Sequence, residues 1–544
     1  MTKKQLLSPL HPVFSKLIIL SLLFLLVISA MPLFSQSIDS PTELRTYLSK
    51  QPKNSADQPI KVKMSSVEDS MLLDIAKAII ASGRYVSLDL TGNSLRTVIF
   101  GSPKTLVSII LPNGTTTIGK SSFMACSGLE SVTLPNTLTT IETLAFINSG
   151  LESVTIPGSV TTIGDSAFSG CKSLKKVTIS NGVKEIGNKA FKDCTALESI
   201  TIPASVTKIG SGAFENCTAL TTATIQNGAI GDDAFNGCKN LTTVTIGNSV
   251  TSIGDDAFKG CVKLTSLNLG TGVNFIGENA FSGCSRLTSV TIPNSVTVIE
   301  KNAFEKCSDL KTVTIGNGVR IISWKVFSEC SSLTSVTIPG SVTEINNGAF
   351  TKCTSLKTVT IPNSVTGIGA NAFDGCTSLE SIVIPKSVTT IGDKAFWNCT
   401  NLTSITFNGT YNKGLVSNDF DNTFWKDGRQ SGTYTRPNAK NPKWTNTSPP
   451  AFPASFIGKW NRINTDYMMT FEKSIAKLTG AGNQNRVWIL SSITGDTYSI
   501  VPESNPAFNP RMIIKLVNRN LDITAEEITG VDRIIDWNGR WEKQ

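Results

Sequence analysis

Residues 287–307, LTSVTIPNSVTVIEKNAFEKC, are one copy of a unit that recurs from Leu106 to Cys399. The pattern is L-x-x-V-T-I-P-x-S-V-T-x-I-G-x-x-A-F-x-x-C. Its phenylalanine column, Phe123, Phe146, Phe168, Phe191 and onward to Phe396, counts thirteen copies. Ten of the twelve steps are 23 residues; Phe146 to Phe168 is 22 and Phe214 to Phe235 is 21. A fixed period in the twenties predicts a solenoid, in which each turn packs on its neighbours.

Within a copy, L-x-x-V-x-I alternates as a half-buried strand does, so Leu287, Val290 and Ile292 are expected inside, with Ser289 and Thr291 outside. Pro293 ends the strand because it offers no N–H. Val296 and Ile299 return to the core. The next segment, typified by GDSAFSGC at 164–171, is expected to form a short helical turn with Asp165 as its N-cap. Asn188, Ser211, Asp232, Asp255, Glu278 and Asp393 hold the same place. Stacked ~4.8 Å apart, the strands make one long parallel sheet, a rod of roughly 60 Å for thirteen turns.

The outward strand face is uniform. The place between Val and Ile is threonine in most copies, including Thr245, Thr291, Thr314, Thr337 and Thr360, with Asn268 and Val383 as departures. The place before the valine is almost all Ser or Thr, Lys176 excepted. Threonine suits strands and keeps a stacked surface soluble; the same column also forms an uncharged recognition surface. Trp324 stands where a small polar residue is usual, and Trp397 follows Phe396. Both are expected to be exposed on the outer face or rim, where tryptophans are frequent contact anchors. These seven residues are the candidate protein-binding set.

All twelve cysteines lie in the repeats, three places after the phenylalanine; the second copy has Ser149 instead. Parallel side chains one turn apart do not meet the geometry of a disulfide, so buried thiols are expected. No copy carries C-x-x-C, which argues against zinc, and single acids one turn apart are poor calcium ligands. No cofactor is expected. The one histidine, His11, lies in the leader described next, which removes Ser-His-Asp and Cys-His chemistry from the rest of the chain.

Lys3, Lys4 and Lys16 precede an apolar run, Leu17 to Ile28, followed by Ser29 and Ala30. That run is the length of a signal-peptide core and too short to span a bilayer. Residues 1–36 are read as a signal peptide, making the protein secreted or cell-surface. Formal net charge is +9; losing three leader lysines leaves +6, too thinly spread for a nucleic-acid partner.

Residues 37–105 read as an α/β cap shielding the first turn. Ser40 to Glu43 forms a capping box with Pro41 at the first helical place, and Ser65 to Glu68 a second one. Ile60–Met64 and Tyr85–Leu90 read as strands. Leu72, Ile75, Ala76 and Ile79 recur at helical spacing. The solenoid occupies 106–407. Residues 408–455 have the composition of a terminal cap and linker. Residues 456–544 show short alternating segments, such as Val487–Ile493 and Met512–Val517, and read as a small antiparallel barrel or sandwich.

The thirteen I-G-x-x-A-F-x-x-C copies resemble the BspA-like leucine-rich repeats of bacterial and some protist surface proteins. The resemblance implies a curved α/β solenoid with its parallel sheet on the concave face, at the surface or secreted. It also implies adhesion to host matrix proteins, cells or other microbes, and it brings no catalytic residues. Separately, Gly458-Lys459-Trp460 is similar to the G-x-W opening of lipocalin-like barrels. The leading expectation is therefore a non-enzymatic adhesive scaffold with extracellular protein partners. The alternative is a carrier whose C-terminal domain holds a small apolar ligand. An extracellular hydrolase using carboxylates is a third class, without a motif to support it.

Overall fold

The structure, a computed structural model, describes residues 37–409, the strand Gly432–Thr435 and, as backbone only, strand segments between 445 and 543. The leader read at 1–36 and most of the cap and linker read at 408–455 lie outside the described residues. The chain divides into two compact units: residues up to 431 with 436–443, and residues 432–435 with 444–544.

The first unit is a stack of about fifteen turns, each built on two short parallel strands. A first row, from Val86–Asp89 and Leu106–Ile110 to Ser404–Phe407, carries the V-T-I segments. A second row, from Thr97–Val98 to Thr390–Ile391, carries the T-x-I segments. Each residue pairs with its counterpart one turn away: Val154 with Val177, Thr155 with Thr178, Ile156 with Ile179. The period-2 alternation holds as read. Leu287, Val290 and Ile292 are buried, with Ser289 and Thr291 exposed. Val296 and Ile299 are also buried. First-row pairing is interrupted between residues 133 and 153, 268 and 289, and 360 and 381; second-row pairing is interrupted only between 299 and 321.

Between the rows runs a column of stacked phenylalanine rings, centroids 5.0–5.7 Å apart. It has fourteen rungs where the sequence reading counts thirteen. Phe100, 23 residues before Phe123, stacks on it at 5.6 Å. The copy around it is otherwise too degenerate to show the pattern.

The segment carrying the phenylalanine is not helical, which corrects the expected helical turn. The residues two before and two after the phenylalanine adopt positive φ, as Ser166 (φ 54) and Gly170 (φ 72) do around Phe168. Such residues complete turns that need a left-handed third position: Ala167 N–H donates to Gly164 O and Cys171 N–H to Phe168 O. Every second N–H points along the stack instead. Ser166, Phe168 and Gly170 donate to the carbonyls of Asn188, Ala190 and Lys192, at 2.7–2.8 Å. A helix would have kept those bonds within its own turn and left the stack without them. The residue read as an N-cap caps the neighbouring turn. Asp165 Oδ1 accepts from Asn188 N–H (2.7 Å), and Asp255 Oδ1 from Glu278 N–H (2.7 Å).

The N-terminal cap extends the first row, with strands Ser37–Ile38, Ile60–Met64 and Val86–Asp89 in parallel order. Helix α1, Pro41–Lys50, begins as read: Ser40 Oγ accepts from Glu43 N–H. The Glu43 carboxylate takes the N–H of Asp39, one residue before the position a capping box predicts. Helix α2, Leu72–Ser82, buries Leu72, Ile75, Ala76 and Ile79 and ends at Gly83 (φ 59). The second capping box does not form. A 3-10 turn, Asp69–Met71, intervenes, and α2 has no side-chain N-cap. The Ser65 hydroxyl bonds the Asp39 carboxylate instead.

In the second unit, eight backbone segments from Gly458–Arg462 to Gly539–Lys543 pair antiparallel, each with the next, and the first pairs with the last. The expected likeness to lipocalins rests on side chains and connections outside the described residues.

Candidate protein-binding face

Many of the repeats' Ser and Thr side chains tie turn to turn. Three such ladders run along the stack. Thr221 Oγ1 donates to Glu198 O and Thr242 Oγ1 to Thr221 O. Thr343, Thr366 and Thr389 donate likewise to the carbonyls of Arg320, Thr343 and Thr366. A third runs from Ser285 through Ser308 and Ser331 to Thr354 and Thr377. Nearly all of these are second bonds to carbonyls that already accept a backbone N–H from the next turn, as Arg320 O does from Thr343 and Ser308 O from Ser332.

The mid-strand threonines make none of these bonds. Thr291, Thr314, Thr337 and Thr360 are exposed and stand in direct register on four consecutive turns. Ser289, Thr312, Ser335 and Thr358 form a second exposed column beside them. The result is a two-column, uncharged field of hydroxyls and methyls. Thr245 is half-buried and belongs to another stretch of the row, paired with Asn268. Val383, 50 % exposed, continues the threonine column as an apolar residue.

The tryptophans are exposed as read, Trp324 at 48 % and Trp397 at 43 %. They are not on the strand face. Both sit on the phenylalanine segment, three turns apart, roughly 15 Å along the stack. Each lies under a lysine ammonium: Lys325 Nζ is 5.3 Å from the Trp324 ring and Lys394 Nζ 5.8 Å from Trp397. The structure therefore brings four of the seven candidates together and leaves Thr245, Trp324 and Trp397 apart.

Val298 and Ile321, 41 % and 42 % exposed, escaped the sequence reading. They occupy outward second-row places on adjacent turns, next to half-buried Phe275, where Thr117, Thr140 and Thr162 stand in other copies. Most other copies carry a polar residue there, such as Glu185, Lys208, Ser252, Glu344 and Thr390, and the aliphatic departure was the available signal.

The twelve cysteines are buried and form no disulfide. Each thiol donates to a backbone carbonyl on the preceding turn, as Cys194 Sγ does to Phe168 O (3.2 Å) and Cys353 Sγ to Phe327 O (3.1 Å). The phenylalanine carbonyl thus accepts twice, from its own turn's Cys N–H and from the next turn's thiol. Ser149, in place of cysteine, meets Cys171 Sγ at 3.2 Å. Burial pushes the Cys171 thiol up to about 11 and the Cys238 thiol up to about 12, so both stay protonated at neutral pH. Among the described residues no cluster of His, Cys, Asp or Glu could hold a metal ion, and no helix is long and apolar enough to cross a membrane.

The repeats match the family described as BspA type leucine rich repeat region over residues 93–221, 218–334 and 320–425, together more than half of the chain. The chain belongs to the BspA-type leucine-rich repeat family. No curated protein sequence matches it. Solved structures similar to it include a leucine-rich repeat protein from Bacteroides ovatus. That protein is 31 % identical over 57 % of this chain and 82 % of its own, with a TM-score of 0.49. A leucine rich cell surface protein from Faecalibacterium prausnitzii is 32 % identical over 57 % of this chain and 89 % of its own, TM-score 0.33. The pneumococcal vaccine antigen PcpA is 20 % identical over 67 % and 82 %, TM-score 0.33.

Proposed function

We propose that the BspA-type solenoid is a non-enzymatic, exported scaffold that presents its first-row strand face to extracellular proteins, adhering to host matrix proteins or cells. The observation that carries this is the registered field of Thr291, Thr314, Thr337 and Thr360. It is exposed, uncharged and takes no part in the three inter-turn hydroxyl ladders. The cell-surface description of the Faecalibacterium relative and the signal-peptide pattern of residues 1–36 support a surface location.

The test is binding of the full chain to immobilised matrix proteins and to intact cells at low and high salt. A neutral face predicts saturable binding with little salt dependence. Thr314→Lys with Thr337→Lys puts two cations on that face at a folding cost within about 0.5 kcal/mol each and should abolish binding. Trp324→Ala and Trp397→Ala report separately on the phenylalanine segment. Full binding by the double-lysine variant would rule the strand face out.

The ring of antiparallel pairing in residues 458–543 favours a second reading, a β barrel similar to lipocalins that holds a small apolar ligand. Saturable uptake of a fluorescent lipid probe, retained in the double-lysine variant, would support it.

A further inference from the structure

The repeat supplies thirteen copies of the same inter-turn bonds, so a missing one stands out. Along the second row, the residue seven before each phenylalanine donates its N–H to its counterpart on the preceding turn: Thr297 to Asn274 O (2.9 Å), Thr343 to Arg320 O (2.8 Å). The residue four before it donates to the isoleucine carbonyl there: Glu300 to Ile276 O and Asn346 to Ile322 O, both 2.8 Å. Among the described residues both bonds are missing at one step only, between the turns of Phe304 and Phe327. Arg320 N–H does not reach Thr297 O, and Ser323 offers its hydroxyl to Ile299 O in place of its N–H. Second-row pairing is interrupted at this step and nowhere else.

A cause is visible in the core. The residue before the phenylalanine is alanine in eleven copies, but Val326 stands before Phe327. Val326, with two more methyls' bulk than the usual alanine side chain, is buried. Phe327 is 5.7 Å from both neighbours and tilted 18° and 16°, whereas the rings from Phe123 to Phe304 stack at 5.0–5.3 Å with tilts of 9° or less. A side chain at Ser323's place is not enough to open the step, since Glu300 and Asn346 sit there in neighbouring copies and keep their bonds. On the first row the same step stays paired, Val313 with Val290 and with Val336.

We propose that the solenoid is hinged here. Val326 spreads the phenylalanine rings and the second row parts, while the first-row ladder and the phenylalanine-segment bonds act as the uncut leaf. Opening separates Val298 from Ile321, the two exposed aliphatics that flank the gap. The hinge lets the part before Leu310 and the part after it change their mutual angle without breaking the first-row sheet.

Hydrogen exchange on the full chain, read by mass spectrometry, tests this. The amides of Asn302, Phe304 and Lys306 donate across the seam. They should exchange at least about tenfold faster than Asn279, Phe281 and Gly283 one turn earlier, or Gly348, Phe350 and Lys352 two turns later. Val326→Ala removes the overpacking and should bring the three seam amides to their neighbours' rates. Equal exchange on all these turns in the unaltered chain would overturn the hinge. Fast seam exchange that persists in a folded Val326→Ala chain would overturn the valine wedge. Should that variant not fold, the comparison within the unaltered chain still decides.

Discussion

Replacing Phe258 tests the account of what holds the stack together. Its ring has no solvent exposure and lies 5.1 Å from Phe235 and 5.3 Å from Phe281, with tilts of 2° and 1°. Phe258→Ala removes a fully buried aromatic, a change that costs about 3–5 kcal/mol. Two offset-stacked ring contacts, at about 0.5–1.5 kcal/mol each, supply about 1–3 kcal/mol of this. Phe258→Leu keeps most of the apolar volume and loses the ring contacts, so it should cost about 1–3 kcal/mol. Neither change touches the backbone bonds to Ala280 and Cys261. In a nearest-neighbour array the loss falls on both adjoining interfaces, so the alanine chain should unfold in two steps, broken near this turn. Urea unfolding of the full chain, followed by far-UV circular dichroism, measures both quantities. A leucine variant as stable as the unaltered chain would refute ring stacking as a contribution. An alanine cost under about 1 kcal/mol would refute the whole account of the phenylalanine column.

Two further outcomes follow from burial and close approach. The thiols of Cys126 and Cys238 are pushed up to about 12 and that of Cys171 to about 11, from 9.0, by burial. Folding therefore favours the protonated form. The stability this contributes is complete below about pH 9 and is lost as pH rises through the folded values, by about 1.4 kcal/mol per pH unit per thiol. Thermal unfolding midpoints flat from pH 6 to pH 8.5, falling steeply above pH 9.5, are expected, as is no iodoacetamide labelling of the native chain at pH 8; prompt labelling would contradict it. Gly210 lies where an added Cβ would come 2.5 Å from Asn188 N and 2.6 Å from Gly187 C. Gly210→Ala should cost about 1–3 kcal/mol, whereas Gly340→Ala, with nothing within 4 Å, should be neutral or slightly stabilising, by up to about 1 kcal/mol. The reverse order in urea midpoints would refute close packing of the corners.

The strands and core were legible because stacking makes the side-chain period of one turn the period of the whole sheet. Leu287, Val290 and Ile292 each have a dozen counterparts that repeat the same reading. The phenylalanine segment was misread because its i to i+3 spacing of Phe168 and Cys171 is equally a helix signature. The discriminating signal lay in the place two after the phenylalanine. Gly170, Gly237, Gly260, Gly283 and Gly375 stand there, with Asn148, Asp193, Asn216 and Asn398 in other copies. These are the residues that tolerate left-handed backbone, and a helix interior would not collect them. The strand face was legible as a column but not as a contiguous field. Register puts Thr291 through Thr360 together, while the interruption after residue 268 sets Thr245 apart. Trp324 and Trp397 were legible as exposed, but their separation from that face follows from how each turn closes, which no single copy reveals.

A repeat array also separates what the fold requires from what it merely permits. A residue shared by nearly every turn answers to stacking: the phenylalanine ring, the thiol on the preceding carbonyl, the alanine that lets the turns close. Where a turn departs from its column, stacking does not ask for the new residue, and often works against it. Val326, Val298, Ile321 and Trp324 all depart within two consecutive turns, the same two between which the second row comes apart. Only Val326 touches the core; the other three expose apolar surface that thirteen-fold repetition shows to be unnecessary. Stacking alone would favour alanine at 326 and asks for no aliphatic at 298 or 321. Concentrating the departures at the step where the second row is unpaired ties surface chemistry to local flexibility, so a partner that contacts Val298 and Ile321 would also sense, and set, the angle of the hinge.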